Sequence, residues 1–195
     1  HKDGDETAFA VKAETTDRIL MFASNGRVFT MDASKLPGGR GFGEPVRLMV
    51  DLDEEAQPVA LMKHDPARTL LLAQTSGHGF LAAEKELPAS KRAGRQVLNV
   101  QDGERMAFVI DAAGDTVAVL GKNKKLLVFA LSEIPEMTRG KGVRLLGGKG
   151  GAVADIAVFS VNPIPGNMIY RAKMRVSGFF GALGFFEILN HTGGA

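Results

Sequence analysis

An all-β chain of propeller type, made of four-stranded blades, is predicted by three features of the sequence. A common plan recurs about every 50 residues, its apolar runs are short and bounded by Gly, Asn and Pro, and helical periodicity is lacking. Each repeat opens on an apolar strand: Arg18-Ile-Leu-Met-Phe-Ala23, Thr69-Leu-Leu-Leu-Ala73 and Thr116-Val-Ala-Val-Leu120. A turn follows each one, at Ser24-Asn25-Gly26, Ser76-Gly77-His78-Gly79 and Gly121-Lys122-Asn123. The second strand of each repeat holds Phe29, Phe80 or Phe129, spaced 51 and 49 residues apart.

An apolar residue and Pro then close each hairpin, as Leu36-Pro37, Leu87-Pro88 and Ile134-Pro135, because Pro stops a helix and removes a ladder donor. Glu84–Leu87 and Leu131–Ile134 are long enough for single helical turns between strands and no more. A basic, Gly-containing loop comes next and leads into a third strand at Val46, Val97 or Val143. Val59–Met62, Met106–Ile110 and Ile156–Phe159 supply the fourth. Across 17–160 no window of ten residues carries apolar positions at i, i+3, i+4 and i+7 without a Gly or Pro breaking it, which excludes a helical reading. The blades are expected over 17–64, 67–111 and 114–159, within a partial domain covering 1–160.

The basic loops carry the chemistry. They read Gly38-Gly-Arg-Gly-Phe-Gly-Glu-Pro45, Lys91-Arg-Ala-Gly-Arg95 and Thr138-Arg-Gly-Lys-Gly142. Residues 138–149 hold Arg139, Lys141, Arg144 and Lys149 without an acid, whereas Lys35, Arg40 and Arg47 of the first loop are offset by Glu44 and followed by Asp51-Leu-Asp-Glu-Glu55. Equivalent positions of successive blades fall along one rim, so the loops are expected to form a cationic track with Gly allowing phosphates close to backbone N–H groups. Such contacts neutralise phosphates without reading bases, and about six of them would give a log–log salt slope of roughly −5. The alternative is that the loops are solvated tight turns, with Gly for backbone reasons and Lys/Arg for solubility.

The run Thr15-Thr-Asp-Arg-Ile-Leu-Met-Phe-Ala-Ser-Asn-Gly-Arg-Val-Phe-Thr30 and the run Leu36-Pro-Gly-Gly-Arg-Gly-Phe-Gly-Glu-Pro-Val-Arg-Leu48 resemble the C-terminal domain of the DNA topoisomerase IV A protein, of the gyrase A family. Lys91–Val100 and Pro135–Leu145 extend the likeness in order, over roughly residues 3–159. The resemblance implies a β-pinwheel of about three recognisable blades plus part of an earlier one, its middle represented by Lys2-Asp-Gly-Asp-Glu6. It implies duplex DNA as partner, bent and guided for decatenation and relaxation, with weaker wrapping than gyrase because the loops look like degenerate wrapping boxes. Arg40, Arg47, Lys91, Arg92, Arg95, Arg139, Lys141 and Arg144, with Lys149 beside them, are the expected phosphate contacts.

The resemblance also implies that ATP, Mg2+ and the cleavage Tyr belong elsewhere in the topoisomerase IV holoenzyme, which includes the B protein and the core of the A protein, reached through a missing N-terminal part. Tyr170 lies outside every matching motif, and no catalytic residue is expected in this chain. The first residue, His1, reads as a cut inside a longer polypeptide. Residues 161–195 depart from the family pattern in Val161-Asn-Pro-Ile-Pro-Gly-Asn167 and Gly178-Phe-Phe-Gly-Ala-Leu-Gly-Phe-Phe-Glu187, as a divergent closing blade or the product of an altered reading frame would.

Composition excludes several classes. A net charge of +2, from 24 Lys+Arg against 22 Asp+Glu, makes distribution rather than total the argument for a polyanion. No Cys is present, so there is neither a disulfide framework nor a thiolate metal site, in keeping with a reducing, cytoplasmic compartment, to which the resemblance adds association with the nucleoid. Val176–Leu189 is too short and too interrupted for a membrane helix, and no membrane partner is expected. The four His are scattered, Asp51–Glu55 lacks a calcium-loop pattern, and Gly140–Gly151 fails the P-loop spacing, so metal and nucleotide sites are not expected. No Ser stands in a Gly-x-Ser-x-Gly elbow. A propeller that binds other proteins remains the competing reading.

Overall fold

The computed structural model describes residues 8–39, 43–147, 152–164, 167–174 and 184–190, with side chains through Val161. Its first sheet is built on the hairpin β1 (Arg18–Ala23) and β2 (Arg27–Asp32), paired Leu20↔Thr30 and Phe22↔Val28. β3 (Pro58–Lys63) lies on the other side of β1. The second repeat follows the same plan, with β4 (Thr69–Gln74), β5 (His78–Ala83), the two-residue β6 (Arg95–Gln96) and β7 (Met106–Asp111). The third has β8 (Thr116–Gly121), β9 (Leu126–Ala130), β10 (Val143–Arg144) and β11 (Val153–Phe159). Single 3-10 turns at Glu84–Glu86 and Leu131–Glu133 fall where the sequence allowed one turn and no more.

Strand order reveals what the sequence could not. The sheets run β3-β1-β2-β6, β10-β5-β4-β7 and β11-β8-β9, so the third strand of each later repeat leaves its own blade and completes the one before. β6 pairs with β2 through Arg27↔Gln96 and Val28↔Arg95, and β10 pairs with β5 through Val143↔Gly79 and Arg144↔His78. The expectation of four strands drawn from one repeat is therefore corrected. A short strand forms only where an open edge accepts it, and the nearest open edge belongs to the preceding hairpin.

Two smaller expectations change for related reasons. Val46 begins no strand. Val46–Leu48 is a 3-10 turn, with no preceding hairpin among the described residues to pair with it. Phe129 is not the counterpart of Phe80, since Phe80 pairs with Leu72, whereas Phe129 pairs with Val117, the position of Leu70. The two-residue offset keeps Phe129 on the same face of its strand, so the period in sequence looked regular.

Packing follows the pleat. Leu70 and Leu72 face the first blade, in a cluster with Leu20, Phe22, Val28, Phe80, Leu87, Val97, Leu98 and Met106. Leu71 and Ala73, on the opposite face, join Val117, Val119, Ile134, Leu145, Leu146, Val153 and Ile156 of the third repeat. A strand covered on both sides by neighbouring blades must be apolar throughout, which explains the unbroken Leu70-Leu-Leu-Ala73. A further junction is polar. The fully buried Glu84 carboxylate accepts from Arg68 Nε at 2.5 Å, Arg68 Nη2 at 3.0 Å and the Asp65 N–H at 2.8 Å, with His64 Nδ1 at 3.2 Å. That pairing raises the Arg68 pKa.

Residues 161–195, expected as a tail or incomplete closing blade, contribute a sheet of β12 (Asn162–Ile164), β13 (Asn167–Met174) and β14 (Gly184–Asn190). The segment 2–6 lies outside the described residues.

Candidate nucleic-acid interface

Strand exchange places the basic loops over one another. The loop at 91–95 must cross to β2 to deliver β6, and the loop at 138–142 must cross to β5 to deliver β10. Each crossing is close: a Cβ on Gly142 (φ +79°) would lie 2.1 Å from the Gly79 carbonyl oxygen, so this position admits only Gly. The first and second loops then meet where the Asp51 N–H donates to Arg92 O at 2.9 Å and Arg92 Nη2 donates to Leu48 O at 2.7 Å. The second and third meet through Asn99 N–H to Gly140 O at 2.8 Å and Gly140 N–H to Val97 O at 3.0 Å. Arg139 Nε reaches Asn99 Oδ1 at 3.4 Å. A continuous backbone hydrogen-bonded line thus runs through residues 48–51, 91–99 and 138–144.

Along this line the named cations fall into two groups. Lys91, Lys141 and Arg144 are exposed. Arg47, Arg92, Arg95 and Arg139 are held by hydrogen bonds: Arg47 donates to Glu54 O at 2.5 Å, and Arg95 Nη1 to Glu86 O. Those partners are neutral carbonyls or amides and leave the guanidinium charge uncancelled. Among these seven cations the one ion pair shown is Arg92–Asp51, at 3.5 Å with both side chains 61% exposed. A pair so exposed is worth little, and a competing phosphate could replace the carboxylate. Arg40 and Lys149 lie outside the described residues.

Acids mark the first blade's end of the line. Asp53 accepts from Asn25 Nδ2 at 2.8 Å, and Glu54 and Glu55 stand exposed beside it, so positive potential should be strongest around the second and third loops. His78 belongs to the same surface. It faces Arg144 across the β5–β10 ladder and lies 3.1 Å from Ser76 Oγ. Burial lowers its pKa, Lys141 and Arg144 lower it further, and Glu104 opposes them. Sequence reading passed over His78, since only the β5–β10 pairing sets it among cations. Among the described residues no group of three His, Asp or Glu could hold a metal ion, and no helix is long and apolar enough to cross a membrane.

Comparison with known proteins gives a consistent result. Residues 17–57, 79–111 and 115–159 match the family described as DNA gyrase C-terminal domain, beta-propeller. The A protein of DNA topoisomerase 4 from Caulobacter vibrioides is 47% identical over 154 residues, covering 79% of this chain and 20% of the relative. Its counterpart from Rickettsia bellii is 39% identical over 160 residues, covering 82% and 22%. The chain therefore spans about a fifth of the length of these curated relatives. Among solved structures, the Escherichia coli ParC C-terminal domain superimposes with a TM-score of 0.74 at 24% identity, over 84% of this chain and 69% of that one.

Proposed function

Because this chain belongs to the DNA gyrase C-terminal domain family of β-propellers, we propose that it binds duplex DNA without base specificity along the line of its three basic loops. The observation that carries this reading is the hydrogen-bonded succession of Leu48–Asp51, Arg92–Asn99 and Arg139–Arg144, which joins the cation-bearing loops of successive repeats. A duplex presents one phosphate charge per about 1.7 Å of axis, so a row of cations on a shared backbone can engage several at once. Gly94 and Gly142 let the second and third loops lie close on the preceding blade, where a Cβ would meet Val28 O or Gly79 O.

Within the longer A protein of a type IIA topoisomerase, this surface would bend and guide the transported DNA segment toward the catalytic core. The ATP-dependent decatenation and relaxation, with the topoisomerase IV B protein as partner and Mg2+ at the cleavage site, would lie outside this chain, in a cytoplasmic, nucleoid-associated enzyme. Arg40 and Lys149 are proposed as further phosphate contacts.

Duplex affinity of the chain measured against salt tests the reading. A log–log slope near −5, alike for duplexes of unrelated sequence, is expected. Replacing Arg139, Lys141 and Arg144 together by Glu should weaken binding several-fold or more with the fold intact. A protein-binding propeller would instead show little salt dependence toward DNA and no loss in that variant.

A further inference from the structure

The three hairpins carry equivalent turns, and the third is built differently. Strand register equates Gly26, Gly77 and Lys124, each in the left-handed region at φ +83°, +83° and +65°. Each N–H closes on the carbonyl three residues back, on Ala23, Gln74 and Gly121, at 2.9, 2.8 and 2.9 Å. At the first two turns the next repeat's basic loop lies on top. Val97 N–H donates to Gly26 O at 3.0 Å, and Leu145 N–H donates to Gly77 O at 2.7 Å. The approach at Gly26 is so tight that a Cβ there would fall 1.9 Å from the Leu98 carbonyl oxygen.

At the third turn the left-handed position holds a Lys. A Cβ in that conformation crowds the following carbonyl, and Lys124 is the one non-Gly residue with positive φ among those described. Lys122 and Lys125 flank it, all three are exposed, and none enters an ion pair shown by the structure. The outer edge of β9 has no strand on it among the described sheets. Where the first two blades receive cations from the following repeat, the third carries its own at the same place in the blade. An unfavourable backbone conformation kept at an exposed residue points to a task for its side chain.

We infer that Lys122, Lys124 and Lys125 form the third station of the cationic track, contacting phosphates of the duplex that runs over the loops of the first two blades. This inference rests on the DNA reading above. It adds three contacts that the repeat's spacing concealed, which would steepen the expected slope from about −5 to about −8, and it places the duplex path across the β8–β9 turn rather than ending it at Arg144.

The test uses the whole chain and a fluorescein-labelled duplex of about 30 base pairs, with anisotropy titrations at several salt concentrations. Replacing all three lysines by Ala should make the log–log slope shallower by about 2–3 units, at roughly 0.9 per lost contact. Lys124→Gly alone should make it about one unit shallower while raising the thermal unfolding midpoint, a combination that a lysine kept only for solubility would not give. Lys85→Ala, a change on an exposed 3-10 turn, serves as the charge control. An unchanged slope in the triple variant overturns the inference. So does an unchanged slope accompanied by self-association in size-exclusion chromatography, which would make the lysines guards of an open sheet edge. Absence of salt-dependent binding in the unmodified chain would overturn the DNA reading itself, so the two failures are distinguishable.

Discussion

Replacing Gly142 by Ala changes no charge, and for that reason it separates arrangement from net charge as the source of DNA binding. The new Cβ would lie 2.1 Å from Gly79 O and 2.3 Å from Gly79 C, both backbone atoms that cannot rotate away. Positive φ costs a residue bearing Cβ about 1–2 kcal/mol. Against this stand the two-residue ladder of β10 and the bond from Leu145 N–H to Gly77 O, each hydrogen bond contributing about 1 kcal/mol net. Clash and strain together match or exceed the two-residue ladder itself, so β10 should part from the β5 edge while Leu145 and Leu146 stay buried between the blades, and the shift should carry Arg139, Lys141 and Arg144 out of line. If six contacts shape the wild-type slope of about −5, loss of three leaves about −2 to −3. From 50 to 200 mM salt, wild-type affinity would then fall roughly a thousandfold and the variant's by less than about a hundredfold. Anisotropy titrations give the slopes, and amide exchange at Val143–Leu145 reports whether the strand has left. A released strand with an unchanged slope would refute the claim that geometry binds the duplex. Retained protection would refute the steric argument.

Three further outcomes follow from other parts of the molecule. Glu84→Ala strips the partner from an Arg68 guanidinium that is 22% exposed, and the loss should be about 3 kcal/mol in urea unfolding. A loss under about 1 kcal/mol would mean that water reaches the guanidinium freely. Phe80→Ala, at a fully buried ring between the first two blades, should cost about 3–5 kcal/mol in the same assay, and a value near zero would contradict the packing described. For His78 the folded pKa is lowered below the ordinary 6.5, so between pH 7 and 5 the unfolded chain takes up more protons than the folded one. Its contribution to stability is complete above the unfolded value and is lost on acidification. His78→Gln should flatten that part of the stability–pH curve, and a phosphate beside Arg144 should make wild-type DNA binding tighten as pH falls, more than the variant's.

What the sequence made legible was local. The hairpins of the three repeats, the closing Leu36-Pro37, Leu87-Pro88 and Ile134-Pro135, and the single turns at Glu84 and Leu131 all depend on neighbours within a few residues, and the structure has them where the pattern put them. What it concealed was partnership at a distance. Val97 and Val143 announce a strand segment, yet nothing in those residues says which hairpin will accept it, because the decision rests with an edge more than 60 residues upstream. The same limit hid His78 from the site and aligned Phe129 with the wrong ring. Lys124 was invisible for a different reason: a positive φ is a property of the turn, and Asn123-Lys124 does not advertise it as Gly26 and Gly77 do.

The exchanged strands also explain why a surface for a long polyanion can rest on such short loops. A basic loop anchored only within its own blade could move independently of its neighbours, and the spacing of its cations from the next loop's would fluctuate. Here each loop continues into a strand of the preceding sheet and buries Val97 and Leu98, or Leu145 and Leu146, in the clusters between blades. Displacing one loop therefore means opening an apolar interface, at about 1.5–3 kcal/mol for each large side chain exposed. Rigid spacing follows from core packing, and the same residues that hold the blades together hold the cations in line. Truncating Leu98, which touches no solvent, should accordingly weaken DNA binding as well as stability. Truncating Met21, which packs with Val46, Met49 and Val50 beneath the first basic loop, should do the same at that end of the line.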